Sequence, residues 1–448
     1  MTDPFLQTCL KIVVANLRCL VDRYRRAGTG LIDMKFDART GMDFAGPESA
    51  GTIRGPEVVY TWIQGRGLEA AAGHCEWLAR KTAVNKALAE DLTAGLHELM
   101  RSTATRMEAI RSRNGGRLCF MMSTSGEPLR VGTEGRLEPL PDMPREPGFV
   151  DLFYGKGLLA AGACLGDAEL RDAGIEHLSW ALGEIAQGRF ISDQQPMDPK
   201  NPVSHDPERA SHAPFMISLG ALCLLIQHTQ EKRWLDTARD FVDRIVNRHV
   251  VDTPRDGLRQ WDFMEFVRPD GGAYLRDGQV PCDPGHTLEF VGLACKVLST
   301  GEGVFGRQQT ALLRKQCRPC LPGVFNRAFS LGFRPDVQGI CKSVDLLSRK
   351  AINTDMPWWS LPETMRAGIL LARLFGGSDE VRADGGAVHA CLRALRECYC
   401  NPDVNFIAVQ TRDGNGRVAD VIPACPDVDP CYHTGLSLLD VLRCCPAR

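Results

Sequence analysis

The sequence predicts an all-α protein, an (α/α)6 barrel (toroid) with a few short β-hairpins in its loops, and three observations carry that expectation. About twelve segments, from "FLQTCLKIVVANLRCLVDRY" to "HTGLSLLDVLRC", repeat apolar residues at three- and four-residue spacing. Strand-like runs are few and short. No composition break or long Pro, Gly or Ser linker interrupts the 448 residues, so 1–448 read as a single domain. In a ring of helical hairpins the inner helices run parallel, and residues at their starts converge on one mouth however distant in sequence.

The elements follow in order. The first helix is followed by "GLIDMKFDARTG" (30–41), which reads as a hairpin, and by "YTWIQGR", which leads into a helix beginning at Leu68. A long helix over "NKALAEDLTAGLHELMRSTATRM" precedes "RLCFMMST" (117–124) and "GEPLRVG", a second hairpin. Helices are then expected at "YGKGLLAAGACLG", "LRDAGIEHLSWALGEIAQG", "PFMISLGALCLLIQHT", "RWLDTARDFVDRIVNRHV", "HTLEFVGLACKVLS", "QQTALLRKQCRPCL", "PETMRAGILLARLFGG" and "AVHACLRALRECYC".

Composition excludes several classes of function. With 53 basic and 55 acidic residues interspersed, net charge is -2 and no basic stripe suits nucleic acid. Apolar runs such as "GALCLLI" fall short of the ~20 residues of a membrane span, and the N-terminal stretch is amphipathic; a cytoplasmic protein without a targeting segment is expected. Most of the 18 cysteines lie inside apolar runs and read as buried thiols. The pairs Cys317 with Cys320, Cys398 with Cys400, and Cys444 with Cys445 raise the question of zinc, but none shows two correctly spaced pairs.

Three helix starts are alike: "CDPGHTLEF" (282–290), "MPWWSLPETMRA" (356–367) and "DVDPCYHTGLSLL" (427–439). Each sets Pro and an Asp or Ser cap candidate ahead of an apolar helical run, followed by His286 with Glu289, by Glu363, and by His433. A ring would bring these four to one funnel. Two histidines there suit proton transfer at carbon, since an unperturbed imidazole takes and gives protons near neutrality. Each has a plainer reading. Asp283 caps a helix without any function, Ser360 and Glu363 have capping-box spacing, and His286 with Glu289 lacks a third metal ligand nearby. Trp62, Trp358 and Trp359 are either sugar-stacking surfaces or core. Gln64 and Arg66 flank a glycine ahead of the second helix, and Arg66 points into the funnel or pairs on the surface.

Together these segments resemble the N-acylglucosamine 2-epimerase family, which includes cellobiose 2-epimerases and aldose-ketose isomerases. "YTWIQGR" is similar to the family's aromatic-Leu-Gln-Gly-Arg segment, "GGAYLRDGQVPCDPGHTLEF" to its approach to Pro-Gly-His-x-x-Glu, "PWWSLPETMRA" to Trp-Trp-x-x-x-Glu-Ala, and "DPCYHTGLSLL" to its terminal aromatic-His segment. Order and spacing match from about residue 20 to 440. The resemblance implies an (α/α)6 barrel and cofactor-free epimerisation or isomerisation through a cis-enediolate. His286 and His433 would be the acid/base pair, Arg66 would polarise substrate oxygens, and Glu289 and Glu363 would orient the histidines or bond the sugar. Trp62, Trp358, Trp359 and Gln64 would line the substrate. The partner implied is a small-molecule sugar, with no nucleic acid, membrane or metal, and a homodimer is compatible with it.

The chain departs from the pattern near its end. Leu436 stands where the family usually has Arg, and Val428 where Trp or Phe is common. Isomerase and cellobiose branches carry a further mid-chain His; here the region reads "ASHAPFMISLGAL", whose Pro-Phe-Met is closer to the N-acylglucosamine branch and in which His212 has no clear counterpart. Two readings compete with an epimerase or isomerase. A glycoside hydrolase on the same toroid would use a carboxylate pair from Asp283, Glu289 and Glu363, and a catalytically inactive sugar-binding scaffold would need no proton transfer.

Overall fold

Asp3 starts the first helix: its carboxylate accepts the Phe5 amide at 2.8 Å, Pro4 takes the position where a missing N–H costs nothing, and Gly28 ends the helix at φ 64°. This is α1 (Pro4–Ala27) in a computed structural model that describes residues 3–44, 46–80, 84–132, 134–192, 194, 206, 208–376 and 386–445. By length and composition α1 is apolar enough to cross a membrane, which the sequence reading expected of no segment; half of its most apolar window is buried inside the chain.

Twelve α-helices form among the described residues. The chain groups into two compact units, the first Met1–Ser204 with Asn401–Ala408 and Ile422–Leu439, the second His205–Cys400 with Val409–Val421 and Asp440–Arg448. The first holds α1, α2 (Thr61–Ala79), α3 (Lys86–Arg113), α4 (Phe149–Leu165) and α5 (Ala168–Ala186). The second holds α6 (Ala213–Thr229), α7 (Lys232–His249), α8 (Pro284–Phe305), α9 (Ala311–Gly332), α10 (Ser360–Phe375) and α11 (Ala387–Ala394). A π-helical turn, Tyr432–Leu436, runs into α12 (Ser437–Cys444).

Burial alternates along the chain. α4 hides every residue from Val150 to Gly162, and α2, α8 and α10 are nearly as enclosed. α7 buries one stripe, Trp234, Leu235, Ala238, Phe241, Val242 and Ile245, and leaves its charged face outward. Helices apolar all round thus alternate with amphipathic ones, as inner and outer members of hairpins would.

The hairpin expected at 117–132 forms as β2 (Met121–Ser123) and β3 (Pro128–Val131), and is extended by β1 (Val58–Tyr60) and β4 (Leu137–Pro139) into an antiparallel sheet of order β1-β2-β3-β4. The one expected at 30–41 does not form; a single bridge between Phe36 and Asp43 replaces it. In the second unit, Ser343–Asp345 pairs with Pro281–Cys282 on one side and Ala351–Asn353 on the other, which steadies the backbone entering α8.

Two helices begin earlier than the periodicity suggests. α2 starts at Thr61, not Leu68, so Gln64 and Arg66 lie inside it, and α4 starts at Phe149. The reason is close packing through glycine, a poor helix former that obscures the pattern. A Cβ on Gly65 would stand 2.4 Å from the Phe153 carbonyl oxygen, and one on Gly157 would stand 2.4 Å from that of Gly65, so α2 and α4 meet backbone to backbone. α9, in turn, continues past Pro319 and Pro322 to Gly332, carried by its buried face of Leu321, Val324, Phe325 and Ala328.

Because backbone cannot yield as a flexible side chain does, Gly65→Ala is expected to destabilise the protein by about 1–3 kcal/mol in thermal unfolding. Gly183→Ala, on the open face of α5 with nothing within 4 Å, should instead stabilise by up to about 1 kcal/mol. Equal melting shifts for the two would refute the close-approach argument.

Candidate active site

Some of the expected residues belong to the first unit and some to the second. In the first unit Arg66 extends from the second turn of α2, and its guanidinium carbon lies 4.2 Å from the Phe153 ring centroid, 5.1 Å from Trp62 and 5.4 Å from Tyr432. Three rings therefore hold the cation by their faces. They cannot accept its N–H groups as oxygen would, and Nε is buried without a hydrogen-bond partner. Such a guanidinium has donors to spend on a carbonyl or alkoxide oxygen.

Trp62 itself is packed edge-on against Phe120 and Phe149 at 5.0 and 5.7 Å, so most of it is wall behind Arg66. Gln64 is fully buried, and its amide is spent on Ile32, accepting that residue's N–H and donating to its carbonyl, both at 2.8 Å. It is a brace for the 31–32 loop and offers a ligand nothing, because two backbone groups already satisfy it.

His433 sits in the π-helical turn, a geometry that aims side chains differently from an α-helix. Asp429 fixes that turn. Its carboxylate accepts the backbone N–H groups of Tyr432, His433 and Thr434 at 2.9, 3.1 and 2.7 Å. Beside His433, the Tyr432 hydroxyl accepts from Lys156 at 2.6 Å, and Glu69 pairs with the same ammonium at 2.9 Å. Burial lowers the Lys156 pKa, but Glu69 and Tyr432 more than reverse this, leaving a buried cation; burial with Glu69 pushes the Tyr432 phenol up to about 12. Lys156 and Tyr432 carry the signal the sequence reading passed over: a lone lysine in the apolar run "YGKGLL", and the aromatic preceding His433.

The departures at the chain's end find packing roles. Leu436 is buried against α2, where a Cβ on Gly73 would meet its Cδ2 at 2.8 Å. Val428 is buried, and its backbone N–H donates to the Met34 carbonyl at 3.0 Å.

In the second unit α8 begins as its sequence predicts, with Asp283 accepting the backbone N–H of His286 at 3.1 Å. What holds the His286 ring was not foreseen. Its Nδ1 lies 2.9 Å from Glu265 Oε1 and 3.3 Å from Asp283 Oδ2, while Trp359 stacks on the ring at 5.3 Å and 25°. The orienting role expected of Glu289 therefore falls to Glu265 and Asp283, which come from before the helix; Glu289 lies beyond it, one turn into α8 and buried. Nε2 is the ring nitrogen that neither carboxylate engages.

Glu265 also reaches His212, whose Nε2 lies 3.2 Å from Oε2, so one carboxylate joins two imidazoles. Burial would raise the Glu265 pKa, but its two histidine neighbours hold it well below the ordinary carboxylate range. Burial lowers that of His286, yet Asp283 and Glu265 outweigh it and the net shift is upward. His249, buried behind His212, is pushed down to about 3 by burial and that neighbour, and stays neutral. His212, Glu265 and His286 each place a ligand atom within 4.8 Å of the others, a donor set able to hold a divalent ion, though their hydrogen bonds suit a shared-proton arrangement equally well. No sequence signal marks Glu265, which sits in the irregular run "WDFMEFV".

The remaining expected residues lie on α10 or just before it. The capping box of Ser360 and Glu363 is not made: Ser360 Oγ donates to the Pro357 carbonyl at 2.8 Å, and Glu363 accepts from Arg366 at 2.6 Å. Arg366 also donates to Asp440 at 2.9 Å, and Lys296 to Asp440 at 2.8 Å, so Glu363 belongs to a buried ion network. Trp358 and Trp359 are both under a tenth exposed, and Lys342 lies 5.4 Å over the Trp359 ring. An open groove of about 1010 Å³ along α3 is lined by none of these residues.

The fold is that of the (α/α)6-barrel sugar epimerases and isomerases. It is similar to the crystal structure of D-mannose isomerase (TM-score 0.62, 14% identity, 95% of this chain and 97% of that one) and to a cellobiose 2-epimerase from Bacillus thermoamylovorans (0.64, 12%, 94% and 98%). A second cellobiose 2-epimerase, from Spirochaeta thermophila, matches at TM-score 0.58 and 11% identity over 88% of each chain. At such identities the likeness is one of fold. No curated protein sequence matches the chain. The chain belongs to the N-acylglucosamine 2-epimerase (GlcNAc 2-epimerase) family, whose model matches residues 150–401.

Removing the Glu265 charge while keeping its shape, in Glu265→Gln, should lower the His286 pKa, since the negative neighbour is part of what raises it. The raised folded value also means that His286 lends stability fully below the unfolded imidazole pKa of about 6.5, lost as pH rises through the folded value. A histidine-resolved NMR titration measures the shift. An unchanged His286 midpoint would show that the carboxylate does not control the ring.

Proposed function

We propose that the chain is an N-acyl-hexosamine 2-epimerase-like enzyme, transferring protons at C2 of a sugar without a cofactor, and that His286 and His433 are its two acid/base groups. The observation that carries this reading is the carboxylate-backed imidazole: Glu265 on Nδ1 of His286 fixes the ring and stabilises the imidazolium formed when Nε2 takes a proton. As C2–H breaks, its electron pair moves toward C1 and the carbonyl oxygen becomes an enolate oxygen, which is that of a cis-enediolate where C2 carries a hydroxyl. Arg66, held by aromatic faces with donors unspent, is the group proposed to stabilise that charge. The second histidine returns a proton to C2, giving the epimer with no net change in charge or redox state.

Glu289, buried one turn into α8, is proposed to hydrogen-bond the sugar's hydroxyls. Glu363, neutralised by Arg366, is proposed to act through the ion network and not as an acid. Trp359 is proposed as the ring surface shared by His286 and the sugar.

A second reading, an aldose-ketose isomerase, is favoured by His212. A mid-chain histidine is a mark of the isomerase and cellobiose branches, and His212 shares Glu265 with His286. With a 2-hydroxy sugar, protonating the enediolate at C1 instead of C2, with the O2 proton passing to O1, yields the ketose.

One incubation separates these outcomes. The purified protein in deuterated water, given N-acetylglucosamine, N-acetylmannosamine, mannose, glucose or cellobiose, should place deuterium at C2 of an epimer; deuterium at C1 of a ketose would mark the isomerase. His286→Ala should lower kcat by about 10²–10⁴. No exchange with any of the five sugars would sink both readings.

A further inference from the structure

We propose that Cys75, His97 and Cys164 form a binding site for a thiophilic divalent cation, with zinc the natural occupant. The three come from α2, α3 and α4, are distant in sequence, and take no part in the constellations described above. Their Sγ and imidazole nitrogen atoms all lie within 4.8 Å of one another. A tetrahedral zinc with Zn–S of about 2.3 Å and Zn–N of about 2.0–2.1 Å spaces its ligands about 3.5–4 Å apart, which small side-chain rotations reach from here.

The two sulfurs are hydrogen-bonded to each other. Two facing thiols with an imidazole beside them make a cation's ligand set. Their hydrogen bond favours the thiol on Cys75 and the thiolate on Cys164, and burial with Arg101 keeps His97 toward its neutral, ligating form. Binding displaces the thiol protons to solvent. Two thiolates and a neutral imidazole then balance a dication, so the partly buried cluster gains no net charge.

Access is at hand as well. Cys164 and His97 are only partly buried, and the neighbouring Arg101 and Leu165 line an open groove of about 680 Å³. Three protein ligands leave the fourth position to water. The cysteine pairs close in sequence, Cys317 with Cys320 among them, belong to no such group among the described residues, and Cys320 spends its S–H on the carbonyls of Gln316 and Cys317.

The test is titration of the full chain with Co²⁺ in a non-thiol reductant. A thiolate-to-cobalt charge-transfer band with the visible bands of tetrahedral cobalt is expected at one equivalent, and Zn²⁺ should bleach it. Cys164→Ser should abolish the charge-transfer band. His97→Gln, a milder change at a partly buried position, should keep the band but weaken affinity more than about a hundredfold, beyond what losing a residue that merely supports a ligand costs. Absence of thiolate charge transfer in the parent, or its survival unchanged in both variants, overturns the proposal. Far-ultraviolet circular dichroism confirms that each variant is folded.

Discussion

Every ionised side chain enclosed by these helices needs a counter-charge or several hydrogen bonds, because the cost of an isolated buried ion exceeds anything packing returns. That constraint sorts the interior. Lys156 has Glu69, Glu363 has Arg366, Asp440 has Arg366 and Lys296, and Asp283 has Lys342 at 2.6 Å. Glu265 is the case with consequences, since it joins two imidazoles, and one of them, His286, has its pKa raised by this neighbour. A carboxylate neutralised by a fixed cation is scaffold, whereas one neutralised by titratable rings couples its surroundings to pH. The same rule leaves Arg66 exceptional, balanced in the first unit by aromatic faces and not by a carboxylate.

The sequence made the helices legible because each outer one must hide a stripe and each inner one must be apolar throughout, and both patterns survive without knowledge of neighbours. All twelve expected helical segments correspond to helices. Boundaries failed where tertiary contact reversed local preference. Gly65 looks like a loop residue until α2 and α4 are seen to need its missing side chain. The Ser360 and Glu363 spacing looks like a capping box, but a buried arginine three residues further on claims the carboxylate more strongly than a backbone amide does.

The site was legible in part for a similar reason. His286 stands at a helix start that its own local sequence writes out, cap and proline included, and the backbone geometry there follows from four residues. Glu265 could not be read, since it reaches His286 through the irregular return from α7, where neither periodicity nor capping leaves a trace. The orienting carboxylate assigned by spacing, Glu289, is on the correct helix, but Glu265 and Asp283 already engage Nδ1. Spacing along one helix finds neighbours on its surface; it cannot find what another segment delivers.

The end of the chain bears on whether departure from a family pattern signals lost chemistry. Leu436 in place of the usual arginine removes a charge, and the residue that replaces it is buried against α2. The altered "PDVDP" contributes Asp427, whose carboxylate accepts the Met34 amide at 2.8 Å, and Asp429, which gathers three successive amides of the turn bearing His433. Those three bonds fix the backbone of the histidine-bearing turn whatever surrounds its ring. The substitutions have replaced the surroundings of His433 while its backbone anchor is in place.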